Sequence, residues 1–141
     1  MGLERFVKAQ ERSYQTAFSE IQYGQKMSHW MWYIFPQLKE LGYSPTAKYY
    51  GIVDRKEAED YLNHPILGQR LREISGELLK LESSDAGYVM GYPDDLKLKS
   101  SMTLFMEISG EQVFQQVLDK FFRGKKDQKT VQLLNRQSVD R

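Results

Sequence analysis

Two stretches of this sequence gather residues able to do chemistry. The first is Lys26–Gln37, KMSHWMWYIFPQ. It brings an ammonium (Lys26), a hydroxyl (Ser28) and an imidazole (His29) to the edge of both tryptophans of the chain, Trp30 and Trp32. His29 is the candidate proton carrier, because an unperturbed imidazole titrates near pH 6.5. An indole face can stack on a planar group, and an ammonium can meet an anion. The second stretch is Pro93–Ile108, PDDLKLKSSMTLFMEI. There Asp94 would accept from ligand hydroxyls and Lys97 would meet an anionic group, with Asp95 and Ser101 beside them. The expected chemistry is recognition of a polar, nucleotide-like small molecule between the two stretches. Proton transfer by His29 would be an added step.

Each of these residues also has a plainer reading. His29 near a helix start can bond a backbone carbonyl or Asp94. Trp30 and Trp32 are two apart, about 200° around a helix, so one can anchor the core while the other walls a cavity. Asp94 and Asp95 open a helix, where carboxylates satisfy free N–H groups and the positive dipole end. Two negative charges there also argue against a phosphate docking on that terminus. Lys97 and Lys99 stand at the spacing that pairs with Asp94 or Asp95. Read this way, the same residues form the closed internal network of a non-enzymatic protein-interaction module. Its working surface would lie elsewhere, for example at the basic end.

Other chemistry is poorly supported. Two isolated histidines, no cysteine and no HxxxH or HExxH spacing give no metal site. No G-x-S-x-G elbow surrounds Ser28, Ser100 or Ser101. No cofactor motif is present. His64, in Asn63-His64-Pro65, fits a turn or cap. Seven basic residues fall between 119 and 141, against Asp119, Asp127 and Asp140, with no aromatic residue after Phe122. That pattern fits a solvated face better than a nucleic-acid surface.

The elements that must position these residues are helical. A chain of 141 residues fits one domain. Charge is balanced, 20 basic against 19 acidic side chains, so the total calls for neither nucleic acid nor membrane. The first 25 residues are too polar for a signal peptide, and the longest apolar run, Trp30–Phe35, is too short to span a bilayer. With no cysteine, a cytoplasmic setting is expected. Leu3–Tyr23 reads as a helix stopped by Gly24, and Ser28 as the cap of a helix reaching Phe35 before Pro36. Ser44-Pro45, Asp54, Pro65, Ser83-Ser84-Asp85 and Asp127 mark further helix starts. Leu67, Leu71, Ile74, Leu78 and Leu81 repeat at steps of four and three, the strongest periodic signal present. Pro93–Ile108 places Asp94, Leu98, Ser101 and Phe105 on one stripe, so polar groups are expected where burial is demanded. The expected architecture is a compact all-α domain of seven to nine short helices over residues 1–136, with 137–141 as a frayed tail. Oligomeric state is not legible.

KMSHWMWYIFPQ followed by GYPDDLKLKSSMTLF resembles the bacterial family catalogued as domain of unknown function 1810. RFVKAQ at Arg5–Gln10 and YLNHPILGQRLRE at Tyr61–Glu73 extend the resemblance over nearly the whole chain. It implies a mainly helical single domain and no established activity, cofactor or catalytic residue. The label calpastatin, carried by some members, has no mechanistic counterpart in these residues.

Overall fold

The computed structural model describes residues 2–139. Among them are nine α-helices and one 3-10 turn, with a single isolated parallel bridge between Leu38 and Ile52 in place of any sheet. Helix α1 runs unbroken over Glu4–Tyr23, and Gly24 ends it in the left-handed region (φ 99°). Helix α2 is Met31–Ile34; after the 3-10 turn at Lys39–Leu41 come α3, Pro45–Tyr49, and α4, Arg55–Asn63. Then follow α5 (Leu67–Leu79), α6 (Ala86–Met90), α7 (Asp94–Ser109), α8 (Gln112–Phe122) and α9 (Gln128–Val139).

Four starts follow from local side-chain chemistry. Ser44 accepts from the Ala47 N–H, Asp54 from Glu57, Asp85 from Tyr88 and Asp127 from Thr130. Each satisfies one backbone donor that the first helical turn leaves free. His64 plays the turn role its junction suggests: its Nδ1 accepts from the N–H groups of Ile66 and Leu67. The sharp passage from α4 to α5 needs glycine at 68, because a Cβ there would lie 2.0 Å from the Leu62 carbonyl oxygen.

Two expectations are corrected. Ser28 does not cap the aromatic helix; that helix starts later and holds four residues, with Trp30 at its N-cap. Helix α9 runs to Val139, into the expected tail, and Gln137 is tied by its side chain to the Arg55 N–H (3.1 Å) and the Val53 carbonyl (3.4 Å). The proposed tail thus begins within a helix; its residues 140 and 141 lie outside those described.

Helix α7 is the central post. Leu98 and every residue from Ser100 to Phe105 are buried, because α4, α6, α8 and α9 surround it. Helix α5 lays its stripe, Leu67, Leu71, Ile74 and Leu78, against α1, α4 and α8. An aromatic spine crosses the core: Phe6 meets Tyr61 edge-on at 5.1 Å, Tyr61 meets Phe105 at 5.4 Å, and Phe105 meets Phe114 at 6.0 Å. These separations suit the ring quadrupoles. The Tyr61 hydroxyl is enclosed but accepts from the Gln10 side chain (2.9 Å), so the polar end of the spine is satisfied.

Candidate functional site

Residues 24–30 turn back from α1 onto α6 and α7. The Lys26 N–H donates to the Val89 carbonyl at 2.7 Å. The turn is shaped from beneath by Glu20, on the last turns of α1. One Glu20 oxygen accepts from the N–H groups of Met27 (2.7 Å) and Ser28 (3.0 Å) and from the Trp30 indole (2.8 Å); the other accepts from the Ser28 hydroxyl. Burial would raise the Glu20 pKa, but these bonds outweigh it and hold the carboxyl below its ordinary value of 4.5. The Ser28 hydroxyl, read as a helix cap, is drawn to this carboxylate instead.

Lys26 then crosses to α7. Its Nζ lies 2.9 Å from Asp94 Oδ2, donates to the Ser28 carbonyl at 2.6 Å, and stands 5.1 Å from the centre of the Trp30 ring. The other Asp94 oxygen is 3.4 Å from Nζ of Lys97, one turn along α7, and that ammonium stands 5.5 Å from the centre of the Trp32 ring. Two ammoniums on one carboxylate leave a local charge of one positive unit. The side chains of Lys26, Asp94 and Lys97 are 8%, 20% and 26% exposed. At that depth the pairs are less screened than surface ones.

The structure therefore brings Lys26, Trp30, Trp32, Asp94 and Lys97 together. Their surroundings differ. Trp30 is enclosed, 1% exposed and packed on Phe35, whereas Trp32 stays partly exposed. Ser101 is fully buried and its hydroxyl has no hydrogen-bond partner among the described residues. Asp95 accepts from the Leu96 N–H in the first turn of α7. His29 is exposed; its carbonyl lies 3.5 Å from the Tyr33 hydroxyl. The anticipated bond between its imidazole and Asp94 is absent among the described residues, and Lys26 and Lys97 hold the two Asp94 oxygens.

Two features escape the sequence. The first is Glu20, which looks like any solvent-facing helical glutamate until the chain folds back seven to ten residues later. The second is a set of exposed apolar side chains on the end of α1, the turn after it, α6 and the start of α7. Tyr23, Met27, Tyr88, Tyr92 and Leu96 are 79%, 73%, 60%, 82% and 50% exposed. Tyr23 is shared by two clefts, one of about 300 Å³ with Met27 and one of about 270 Å³ with Tyr88. Tyr92 and Leu96 flank the start of α7.

Comparison with known proteins gives a family and a fold. The family model described as protein of unknown function (DUF1810) matches residues 1–134, so the chain belongs to that family. The crystal structure of the conserved hypothetical protein Rv1873 from Mycobacterium tuberculosis is 45% identical and superposes with a TM-score of 0.92. The match covers 94% of this chain and 96% of that one. No curated protein matches.

Proposed function

We propose that this member of the DUF1810 family is a non-enzymatic protein-interaction module. Its working face is the apolar surface of Tyr23, Met27, Tyr88, Tyr92 and Leu96, and the polar residues beneath are the clamp that holds it. One observation carries the reading. Apart from exposed His29 and the buried, unpartnered Ser101, the polar groups that a substrate would need are engaged by the protein itself, while large apolar side chains on the clamped segments stand in water. Glu20 receives four hydrogen bonds and Asp94 holds two lysines. Tyrosine and methionine are enriched at protein interfaces, where a few such residues dominate affinity. The basic end is a weaker candidate surface, because Lys126 pairs with Glu107 at 2.8 Å and Lys120 donates to the Leu81 carbonyl at 2.6 Å.

Site-specific photocrosslinking in living cells tests this. A crosslinking residue at Tyr88 should capture protein partners that the same residue at Tyr43, 91% exposed on another segment, does not. Identical capture at both positions would sink the reading.

The small-molecule reading keeps one specific observation of its own: the net positive charge at Lys97 beside the partly exposed Trp32 ring. A planar anion would stack on Trp32 and pair with Lys97, with Lys26, Ser28, Asp94 and Asp95 around it and His29 as the proton carrier; Ser101, fully buried, is not open to it. A thermal-shift screen of metabolites and nucleotides decides. A ligand at 100 times its dissociation constant should add about 2.7 kcal/mol, and Lys97→Met with Trp32→Phe should abolish the gain. Hits that persist in that double variant would exclude this site.

A further inference from the structure

The largest of the described clefts shares only Tyr33 with the two stretches considered so far. It holds about 520 Å³, within the range of small-molecule sites. One wall is tyrosine. Tyr33 and Tyr50 lie 5.2 Å apart between ring centres, and Tyr49 meets Tyr50 edge-on at 4.8 Å. The other wall is the outer side of α1, which brings Lys8 and Arg12 to the cleft one helical turn apart.

The floor is built. Arg5 also lines the cleft, and its side chain is 4% exposed. Its guanidinium donates to the carbonyls of Gly2, Tyr49 and Gly51 and to both oxygens of Glu57. Glu57 neutralises its charge, so Arg5 fixes the backbone under the tyrosines without competing for an incoming anion. Lys8, Glu11 and Arg12 make no ion pair among the described residues, which leaves one net positive charge on the rim. Of the three tyrosine hydroxyls, that of Tyr33 donates to Ser13 (2.9 Å); those of Tyr49 and Tyr50 bond no described residue. Burial first, then Tyr49 and Tyr33, push the Tyr50 hydroxyl above its ordinary value, against the opposing pull of Arg5. It therefore remains a donor at neutral pH.

We infer that this cleft binds a small anion carrying a planar ring, of the nucleoside-monophosphate kind, with the ring against Tyr49 and Tyr50 and the phosphate on Lys8 and Arg12. Two cations one turn apart suit a doubly charged phosphate better than a carboxylate, and arginine can bind its oxygens through two parallel N–H groups. Aromatic faces accept any base by stacking, so the site would select for ring and charge together. The inference goes beyond the interaction module and does not depend on it, because it uses none of the residues of that apolar face.

Amide chemical shifts of the intact protein, titrated with adenosine monophosphate, adenosine, inorganic phosphate and benzoate, give the test. The monophosphate should move signals around residues 8–13, 33 and 49–51. It should bind at least about tenfold more tightly than any of the other three. Tyr49→Ser and Arg12→Glu change exposed side chains, so the fold should persist, checked by melting temperature, while affinity falls about tenfold in each. Absence of shifts, shifts elsewhere, or unchanged affinity in both folded variants would overturn the assignment. Phosphate binding as tightly as the nucleotide would show a surface charge effect only. Benzoate doing so would overturn the phosphate subsite, and adenosine doing so would remove the role of Lys8 and Arg12. None of these outcomes bears on crosslinking at Tyr88, so the two ideas fail separately.

Discussion

Arg5 and Lys26 are both drawn out of water, to 4% and 8% side-chain exposure, and the fold balances them differently. Arg5 faces one carboxylate, Glu57, and three carbonyls, so its charge is cancelled and its planar fork of donors is used in full. Lys26 shares its carboxylate with a second lysine, and Asp94 cancels only half of the charge around it. The first arrangement joins α1 to the end of α3, to Gly51 and to α4, and has little freedom to change. The second joins the turn after α1 to the start of α7 and keeps a positive surplus near Trp32. The chemistry of the two cations explains the choice. A guanidinium can satisfy several fixed acceptors at once, whereas a compact ammonium can sit between a carbonyl, a carboxylate and an aromatic face.

The largest effect should come from breaking the closed pair. Arg5→Met leaves Glu57 without its partner and three carbonyls without a donor, and should cost about 3–5 kcal/mol in urea unfolding. Arg5→Lys should recover only part of this, because one ammonium cannot reproduce the fork. Full recovery by lysine would erase the distinction between the two centres.

Asp94→Asn comes next, at about 1–3 kcal/mol, because Lys26 would be left buried with a weaker partner. The sign matters more than the size. A rise in melting temperature would mean that the site stores strain of the sort functional sites carry, and would favour the small-molecule reading.

Glu20 sharpens the contrast through pH. Its folded pKa lies below the unfolded value of 4.5, so its contribution is fully present above that value and is lost as pH falls through the folded pKa. In chemical denaturation series from neutral to acid pH, Glu20→Gln should be less stable at neutrality, and the gap to the parent should narrow below about pH 4.5. A gap constant across the acid limb would show that the carboxylate charge does not order the turn. The smallest effect belongs to Lys97→Met, expected within about 1 kcal/mol, since Lys26 still compensates Asp94. A larger loss would mean that the surplus charge is itself structural.

Much of the fold is legible because its signals are local. The α5 stripe, the caps at Ser44, Asp54, Asp85 and Asp127, and the burial of Phe105 each rest on residues within a turn or two of one another. The Asp94–Lys97 spacing belongs to the same class. Lys26 and the tryptophans could be read as a cluster because their types converge in one stretch. Glu20 and Arg5 could not, since their partners lie 7–10 and up to 52 residues away and nothing near them in the sequence marks either as a bonding centre. Ser28 was misleading for the same reason: serine before an apolar run resembles a cap unless a distant carboxylate claims it. The cleft of Tyr33, Tyr49 and Tyr50 combines three elements, and no local pattern announces it.

The placing of the two tryptophans gives this protein a built-in optical readout. Trp30 is sealed in the core with its N–H on Glu20 and Lys26 over its ring, while Trp32 meets solvent beside Lys97. Emission should therefore be the sum of a blue-shifted component from Trp30 and a redder one from Trp32. Acrylamide and iodide should quench the redder component first, and the positive surplus at Lys97 should make iodide more effective there than its size alone would allow. Opening of the Glu20 turn would then register as the loss of the blue component, without any label.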